Sequence, residues 1–460
     1  MSGRVRVVKR LGGRAEAGRG VTPARRAAFE ILRRVEDEGA FAAPLLAGLP
    51  DELSVEDRAL CYELTLGVLR RQLWLDKSIE HFAGRPYEKL DAPVRRALRL
   101  GLYQLRFLAR VPASAAVNES VNLVHAARLR SAAPFVNAVL RRATREPDFD
   151  PAASISGTLE RVSVETSHPA WLVARWADAL GLEEAESFAR ANNEAAPVSF
   201  RVNTLGVAAD DIVNELRAAG FAVAASSVAP GAWRVEGGVG GALRRLAGEG
   251  RIYLQDEASQ LVAHVLGARA GERVLDACAA PGSKTTHVAA LAGDRARLVA
   301  GDVHEHRLRV VRETCERLGV ESVTAVALNA EAGLPFEDGA FDRVLVDAPC
   351  TGTGTLRHNP EIRWRLAPES FAELASVQTR ILSEASRVVR RGGRLVYSTC
   401  SVERDEDEAV VEGFLRAHLE FTQIEARPAP ARLLLASGAA RTWPQKDDVN
   451  GFFVAAFERQ

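Results

Sequence analysis

Residues 272–286 read ERVLDACAAPGSKTT. A short apolar run, Val274 and Leu275, stops at Asp276. Small residues and a proline follow, and Gly282 leads into a stretch with helical character from Thr285. A strand that runs into a glycine-containing turn and then a helix opens a doubly wound α/β sheet, and the glycine lets a ligand approach the backbone. The chain downstream keeps the alternation. RLVAGDV is a strand, EHRLRVVRETCERLG a helix and SVTAVALNA a strand. FDRVLVDAPC is a further strand, SFAELASVQTRILSEASRVVRRG a long helix and GRLVYSTC the next strand. Strands alternating with helices predict a parallel sheet over residues 251–460. Ligands of such sheets sit beyond the carboxyl ends of the strands, which places four loops on one edge: 277–284, 302–304, 347–354 and 398–401.

Upstream the pattern changes. Residues 1–20 are expected to be a flexible basic arm. From Thr22-Pro23 onward, apolar positions recur at helical spacing through Ala27, Ile31, Leu32 and Val35, with Thr22 as N-cap and Pro23 in the first turn. Similar stretches follow, and no convincing strand precedes about residue 195, so residues 21–148 are expected to be all-helical. Residues 149–250 carry a polar, proline-containing boundary, a helical piece and a small α+β unit. The net charge of zero conceals an asymmetry: residues 1–150 hold 26 Lys and Arg against 18 Asp and Glu, and the rest of the chain 34 against 42. A basic first third on an acidic body predicts that it meets a polyanion. No apolar run approaches membrane-spanning length, and the first residues lack the apolar core of a secretory signal. Five scattered cysteines without a CxxC pair argue against a disulfide framework or a metal site and fit a reducing cytoplasm.

The turn at 277–284 is neither a P-loop nor a G-x-G-x-x-G, because Lys284 does not directly follow Gly282 and position 277 is Ala277. Asp302 ends the next strand 20 residues after Gly282, where such sheets place the carboxylate that holds ribose hydroxyls. Both facts fit a nucleoside cofactor without a pyrophosphate, of which S-adenosylmethionine is the common one. Two cysteines then stand at strand ends, Cys350 after Asp347-Ala-Pro and Cys400 in YSTCS. A lone strand-end cysteine is most often inert packing, but two on neighbouring strands predict chemistry. A thiolate added at C6 of a cytosine turns C5 into a nucleophile toward a sulfonium methyl group. A carboxyl group near N3, here Asp347, balances the developing charge, and a second acid/base group serves the removal of the C5 proton.

DACAAPGSK, DAPCTGTG and YSTCS, in that order, resemble the RNA cytosine-5 methyltransferase family, as do FRVNT (200–204), YLQDEAS (253–259), RHNPEIRW (357–364), WPQ (443–445) and NGFF (450–453). The resemblance covers residues 160–460. It implies a Rossmann-like S-adenosylmethionine-dependent domain in which Cys400 is the nucleophile, Cys350 assists product release, Asp347 contacts the base and Lys284 is the active-site lysine. It places the cofactor against Cys278, Ala279, Ala280, Pro281, Gly282, Ser283, Lys284, Asp302, Asn329 and Asp347. AAVNESVNL (115–123) and FVNAVLRR (135–142) resemble the NusB-type RNA-binding domain, preceding a small RRM-like α+β domain. That fusion is the pattern of bacterial 16S ribosomal RNA (cytosine-5)-methyltransferases of the RsmB/Sun type. A monomer with no obligatory protein partner and no membrane attachment follows by the same resemblance.

Two positions depart from the family: Ser283 stands where a second glycine is usual, and Asn329 where an aspartate often faces the adenine. Ser283 is expected to be tolerated, since Gly282 remains for the close approach, and Asn329, whose amide can still donate and accept, predicts cofactor binding with altered affinity. The alternatives are a transfer-RNA cytosine-5 methyltransferase and a non-catalytic RNA-binding assembly or antitermination factor. Arg357, Arg363 and Arg365, just past the second thiol loop, could grip RNA phosphates or form a solvated face. His304 and His306 are expected at an exposed helix start, Cys61 and Cys315 in packing, and the run ERDEDEA as a helix N-terminus that complements the dipole.

Overall fold

Thr22 precedes the first helix and Pro23 sits in its first turn, where a missing N–H leaves no bond unmade. That helix, α1 (Pro23–Asp37), is followed by α2 (Ala42–Ala47), α3 (Val55–Arg70), α4 (Gln72–Ala83), α5 (Ala92–Phe107), α6 (Ala113–Ala126) and α7 (Ala133–Arg145). The computed structural model describes residues 20–50 and 52–460; the expected basic arm lies outside them except for Gly20. Two units are resolved, one ending at Ile155 and one running from Ser156 to Gln460. In the first, Leu32, Leu64, Leu98 and Leu140 from four helices meet in one core. Part of its positive charge is internal. Arg99 on α5 is buried and donates to Asp76 at 2.7 Å and Glu36 at 2.5 Å, and the buried Arg96 pairs with Asp37 at 3.2 Å.

The second unit begins with α8 (Thr158–Thr166), α9 (Ala170–Leu180) and α10 (Leu182–Ala191). A small domain follows: β1 (Val198–Val202), α11 (Ala209–Ala218), β2 (Val223–Ala225), β3 (Ala232–Val235), α12 (Gly241–Gly248) and β4 (Ile252–Leu254). Its sheet is antiparallel in the order β2-β3-β1-β4, with Phe200, Leu216 and Leu243 in the core beneath.

The large sheet then assembles from β5 (Arg273–Asp276), β6 (Arg297–Asp302), β7 (Val323–Ala327), β8 (Phe341–Asp347), β9 (Val389–Thr399), β10 (Phe421–Ile424), β11 (Ala440–Thr442) and β12 (Phe452–Arg459). Its order is β10-β12-β9-β8-β5-β6-β7, with β11 on β12. The stretch from β7 through β9 is parallel and β12 is antiparallel to β9. The chain winds from β5 toward β7 on one side and from β8 toward β9 on the other, so the crevice opens at the carboxyl ends of β5 and β8. Helices α13 (Glu257–Leu266), α14 (Ser283–Leu291), α15 (Glu305–Leu318), α16 (Ser370–Arg387), α17 (Glu408–Ala417) and the short α18 (Pro444–Asp447) complete the domain. Two apolar clusters, one including Val274, Leu298 and Val396 and the other Leu275, Val344 and Leu395, are its cores.

Two boundaries differ from the expected ones. Helix α14 starts at Ser283 rather than Thr285, directly after Gly282 at φ +98°. The long helix ends at Arg387, and the expected helical VVRRG belongs to β9; its β-branched Val389 is buried in the sheet core, which decides the matter against the helical period.

Candidate active site

Register brings the two thiol loops together. In the parallel pair β8–β9, Asp347 lies opposite Ser398, and both chains run on past the sheet edge to Cys350 and Cys400. The two sulfurs are 3.3 Å apart, within hydrogen-bond reach. The Asp347 carboxylate accepts from the Ser398 hydroxyl at 2.8 Å and from the Lys284 ammonium at 2.7 Å. Lys284 comes from the first turn of α14, so the crevice between β5 and β8 is closed at its floor by an ion pair. Phe452 of the NGFF segment lies 5.2 Å from the Lys284 ammonium, ring face toward the cation. Burial pulls the lysine toward neutrality, but the Asp347 charge and hydrogen bond outweigh it, and its pKa is raised.

The Cys350 thiol is pushed well up, first by its hydrogen bond to Cys400, then by burial and by the charges of Cys400 and Glu406. It therefore holds its proton beside Cys400. Cys278 differs from these two. Burial and the surrounding carboxylates of Asp276, Asp347 and Asp302 push its thiol far up, which leaves it no nucleophilic use. Cys61 and Cys315 are buried in packing, and all five cysteines are free. Among the described residues no cluster could hold a metal ion.

The cofactor loop is built by backbone. Ala279 donates to the Gly301 carbonyl and Gly282 to that of Ala279, each at 2.7 Å. A Cβ on Gly282 would come 3.3 Å from the Val311 backbone, and its φ of +98° disfavours any other residue. The start of α14 has no side-chain cap, leaving its first amides for an outside acceptor. Asp302, buried at the end of β6, takes the His304 amide on one oxygen at 2.9 Å, and its other oxygen faces Arg307 at 3.2 Å. Arg307 also reaches the Ala280 carbonyl at 3.2 Å. Val303 beside it is 55% exposed, an apolar surface suited to a flat ring. A carboxylate for a diol, an exposed apolar side chain and no phosphate cradle fit S-adenosylmethionine. Asn329 is exposed past β7, its amide oxygen engaged by the Glu331 amide at 3.0 Å. His304 and His306 are exposed at the start of α15.

One sequence expectation fails here and another holds only in part. Arg357 and Arg363 neither grip phosphates nor form a solvated face. Arg363 is buried and donates to the carbonyls of Thr166, Ser167 and Asn192 and to Asn193 Oδ1. Arg357, also buried, reaches the Ala195 carbonyl and pairs with Asp448. Only Arg365 of the three is exposed. The two buried arginines tie the segment after Cys350 to the stretch around α8–α10 by donating to its carbonyls. The acidic run does lead into a helix, with Glu408 in the first turn of α17, but its other carboxylates serve different partners. Glu403, Glu406 and Asp407 are buried in a turn before α17. Glu403 receives Arg175 at 2.6 Å and Trp176 at 2.9 Å, and Asp407 receives Arg441 at 2.6 Å and Thr399 at 2.5 Å.

Residues of the small domain contact two helices of the large one. Arg201 of FRVNT is buried and donates to Thr286 on α14 at 2.8 Å, and Asn203 donates to the Leu318 carbonyl at 2.8 Å. Burial lowers the Arg201 pKa to about 10. Behind the thiols, Gly354 donates to the Cys400 carbonyl at 2.9 Å and Gly451 to the Gly354 carbonyl at 2.8 Å. A side chain on Gly354 would meet the Gly451 oxygen at 2.0 Å, so TGTG and NGFF are glycine-bearing because two backbones touch there.

A family model for 16S rRNA methyltransferase RsmB/F matches residues 263–458, one for the NusB family residues 22–145, and one for the ferredoxin-like domain of RsmF/B-like methyltransferases residues 168–240. The probable ribosomal RNA small subunit methyltransferase B of Bacillus subtilis (strain 168) is 35% identical, the match covering 95% of this chain and 99% of that protein. The chain belongs to the RsmB/F family of 16S rRNA methyltransferases. Among solved structures, that of PH0851 matches with a TM-score of 0.82 at 29% identity over 95% of this chain and 98% of that one. A methyltransferase homologue from Pyrococcus horikoshii matches with a TM-score of 0.58 at 29% identity, over 66% of this chain and 100% of its own. The fold is thus a NusB domain, a ferredoxin-like domain and a methyltransferase domain in that order, as the sequence predicts.

Proposed function

We propose that this chain methylates C5 of a cytosine in small-subunit ribosomal RNA through a covalent bond between Cys400 and C6. The observation that carries the reading is the pair of sulfurs 3.3 Å apart beside the Lys284–Asp347 pair. The 278–284 loop, Asp302 and the Val303 face would hold S-adenosylmethionine, which when bound would supply an electrophilic methyl group at this edge. Cys400 releases its proton to solvent and adds as thiolate to C6, which makes C5 nucleophilic. Asp347 is the contact for the base, and the Lys284 ammonium that it holds at 2.7 Å offsets the negative charge that develops on the ring.

Cys350 takes up its work once the bond exists. Its thiol is held protonated first by the hydrogen bond to Cys400 and, among other causes, by the Cys400 charge. When the Cys400 sulfur is bonded to carbon, both causes disappear and Cys350 ionises more readily. Once C5 carries the methyl group, Cys350 takes the C5 proton, the C5–C6 double bond returns, and the electron pair of the C6–S bond goes back to Cys400. The thiol pair thus acts in sequence because one sulfur silences the other until it is itself occupied.

The NusB-type domain supports ribosomal RNA as the substrate rather than transfer RNA, with surface arginines left for phosphates after the internal pairs are made. No described helix is long and apolar enough to cross a membrane; the proposed action is in the cytoplasm, as a monomer. Incubating the Cys350→Ala protein with 16S RNA and S-adenosylmethionine is expected to leave a slow-migrating protein–RNA band in a denaturing gel. A Cys350→Ala protein that turns over without that band refutes the division of labour between the thiols.

A further inference from the structure

Glu406 does not touch the crevice, yet both thiol loops end on it. Its Oε1 accepts from the Thr351 amide at 2.8 Å and from Gln378 Nε2 at 3.0 Å. Its Oε2 accepts from the Thr351 hydroxyl and the Ser401 hydroxyl, each at 2.5 Å. Thr351 is the residue after Cys350 and Ser401 the residue after Cys400. Gln378 on α16 also donates to the Pro349 carbonyl at 2.9 Å, so the same network grips the residue before Cys350. The backbone of Glu406 is fixed in turn, its carbonyl accepting from Tyr397 on β9 at 2.5 Å. The carboxylate is fully buried.

We infer that Glu406 is the positioning residue that sets the spacing of the two sulfurs, by joining the residues that follow them through one buried side chain. Strand register alone delivers the two backbones to the sheet edge. Beyond the last ladder bond each loop could turn by tens of degrees, and a sulfur at the end of a short side chain moves by ångströms with it. Four donors converging on one carboxylate remove that freedom, and burial makes each bond costly to break. The inference rests on the sequential use of the thiols proposed above, but its geometry can be tested without RNA.

The probe is phenylarsine oxide, whose trivalent arsenic binds two thiols at once only when they are close. Full-length protein is expected to capture it through Cys350 and Cys400, with capture abolished by Cys350→Ala. Glu406→Ala is expected to weaken capture by about 10-fold or more, the loss of at least one buried charge-assisted bond. Glu406→Gln keeps an acceptor for the two N–H donors and an amide for hydroxyls that can rotate, and is expected to retain capture within about 3-fold. S-adenosylmethionine affinity and thermal midpoint are measured on the same proteins: cofactor affinity is expected to stay close to the parent, and the midpoint to fall by several degrees in Glu406→Ala and little in Glu406→Gln, much less than capture is lost.

Unchanged capture in Glu406→Ala overturns the inference whatever the RNA assays give. Loss of capture together with equal loss of cofactor affinity and melting temperature also overturns it, since Glu406 would then only support the fold. If Glu406→Ala does not fold, Thr351→Val takes its place: it keeps the shape, removes one of the four donors, and is expected to weaken capture severalfold. Failure of the Cys350→Ala trapping gel, with capture behaving as expected, would remove the covalent roles and leave the positioning intact.

Discussion

The two halves of the crevice are held by opposite means. At the ends of β5 and β6 the ligand-facing groups have local partners. Backbone bonds shape the 278–284 loop, Asp302 takes the amide two residues on, and Arg307 and Val303 stand in the open. At the ends of β8 and β9 the two thiol loops are surrounded by buried charges, most of them joined across long stretches of chain: Glu406 to Thr351, Asp407 to Arg441, Glu403 to Arg175, and Arg363 to residues 166–193. A nucleoside that comes and goes needs a shaped surface with accessible donors and acceptors. Two thiols that act in turn on one ring need a fixed spacing, and a fixed spacing needs a network that water does not loosen.

Removing the nucleophile gives the largest effect on the thiol half. Cys400→Ser is expected to lower methyl transfer to 16S RNA by more than about 10⁴-fold, because a hydroxyl near neutral pH holds a far smaller anionic fraction than a thiol. Cofactor affinity, a property of the other half, is expected to stay within about 2-fold. Radiolabelled methyl incorporation and calorimetric titration with the cofactor read the two halves separately. A parallel loss in both would mean that the halves are not independent.

Asp347 sits on the seam, paired to Lys284 of the cofactor half and Ser398 of the thiol half. Asp347→Asn keeps the shape, removes the charge and leaves the Lys284 ammonium buried without its counter-ion. Transfer is expected to fall by about 10²–10³-fold and cofactor affinity by much less. Equal losses would place Asp347 with the cofactor rather than the base.

The same contrast sets what was legible in the sequence. Loop 277–284, Asp302 and the two strand-end cysteines could be placed because strand, turn and helix are local patterns, and the sheet fixes where strand ends go. Arg363 and Glu406 could not. Arg363 lies in a basic run that reads as a phosphate grip or a solvated face and Glu406 in an acidic run that reads as a helix start, and only the tertiary fold shows that Arg363 donates to a cluster of carbonyls and Glu406 fills a gap between two loops. An acidic side chain three residues into a run of its own kind carries no local sign that it is buried. The sequence signal that existed was the crowding of Thr351, Thr353 and Ser401 around the two thiols, a density of hydroxyls that an exposed edge would not need.

Arg363 gives a test of that distinction through stability. Arg363→Met fills similar volume but leaves the carbonyls of Thr166, Ser167 and Asn192 without that donor, and is expected to cost about 3 kcal/mol in urea unfolding. Arg365→Ala, two residues on and exposed, is expected to change stability by less than about 0.5 kcal/mol. Equal effects would dissolve the difference between the buried and exposed arginines of this segment.

Asp276 sharpens the comparison most finely, because it lies in the cofactor half with the character of the thiol half. It ends β5, is buried, and accepts from Thr285 at 2.7 Å. Burial raises its pKa to about 7, with the Thr285 hydrogen bond opposing and the Asp347 charge adding to the rise. Its unfolded value lies near 3.8, so between about pH 4 and pH 7 the folded chain holds a proton that the unfolded chain releases. The stabilisation is therefore complete below pH 4 and is lost as the pH rises through 7. Asp276→Asn is neutral throughout and can still accept from Thr285. Relative to the parent, it is expected to gain stability between pH 4 and pH 8 by on the order of 1–3 kcal/mol, read as the difference between the two urea unfolding curves at each pH. Taking the difference removes the other buried carboxyls, Glu406 and Asp407 among them, which titrate in both proteins. Parallel curves would mean that Asp276 is no harder to ionise in the fold than outside it.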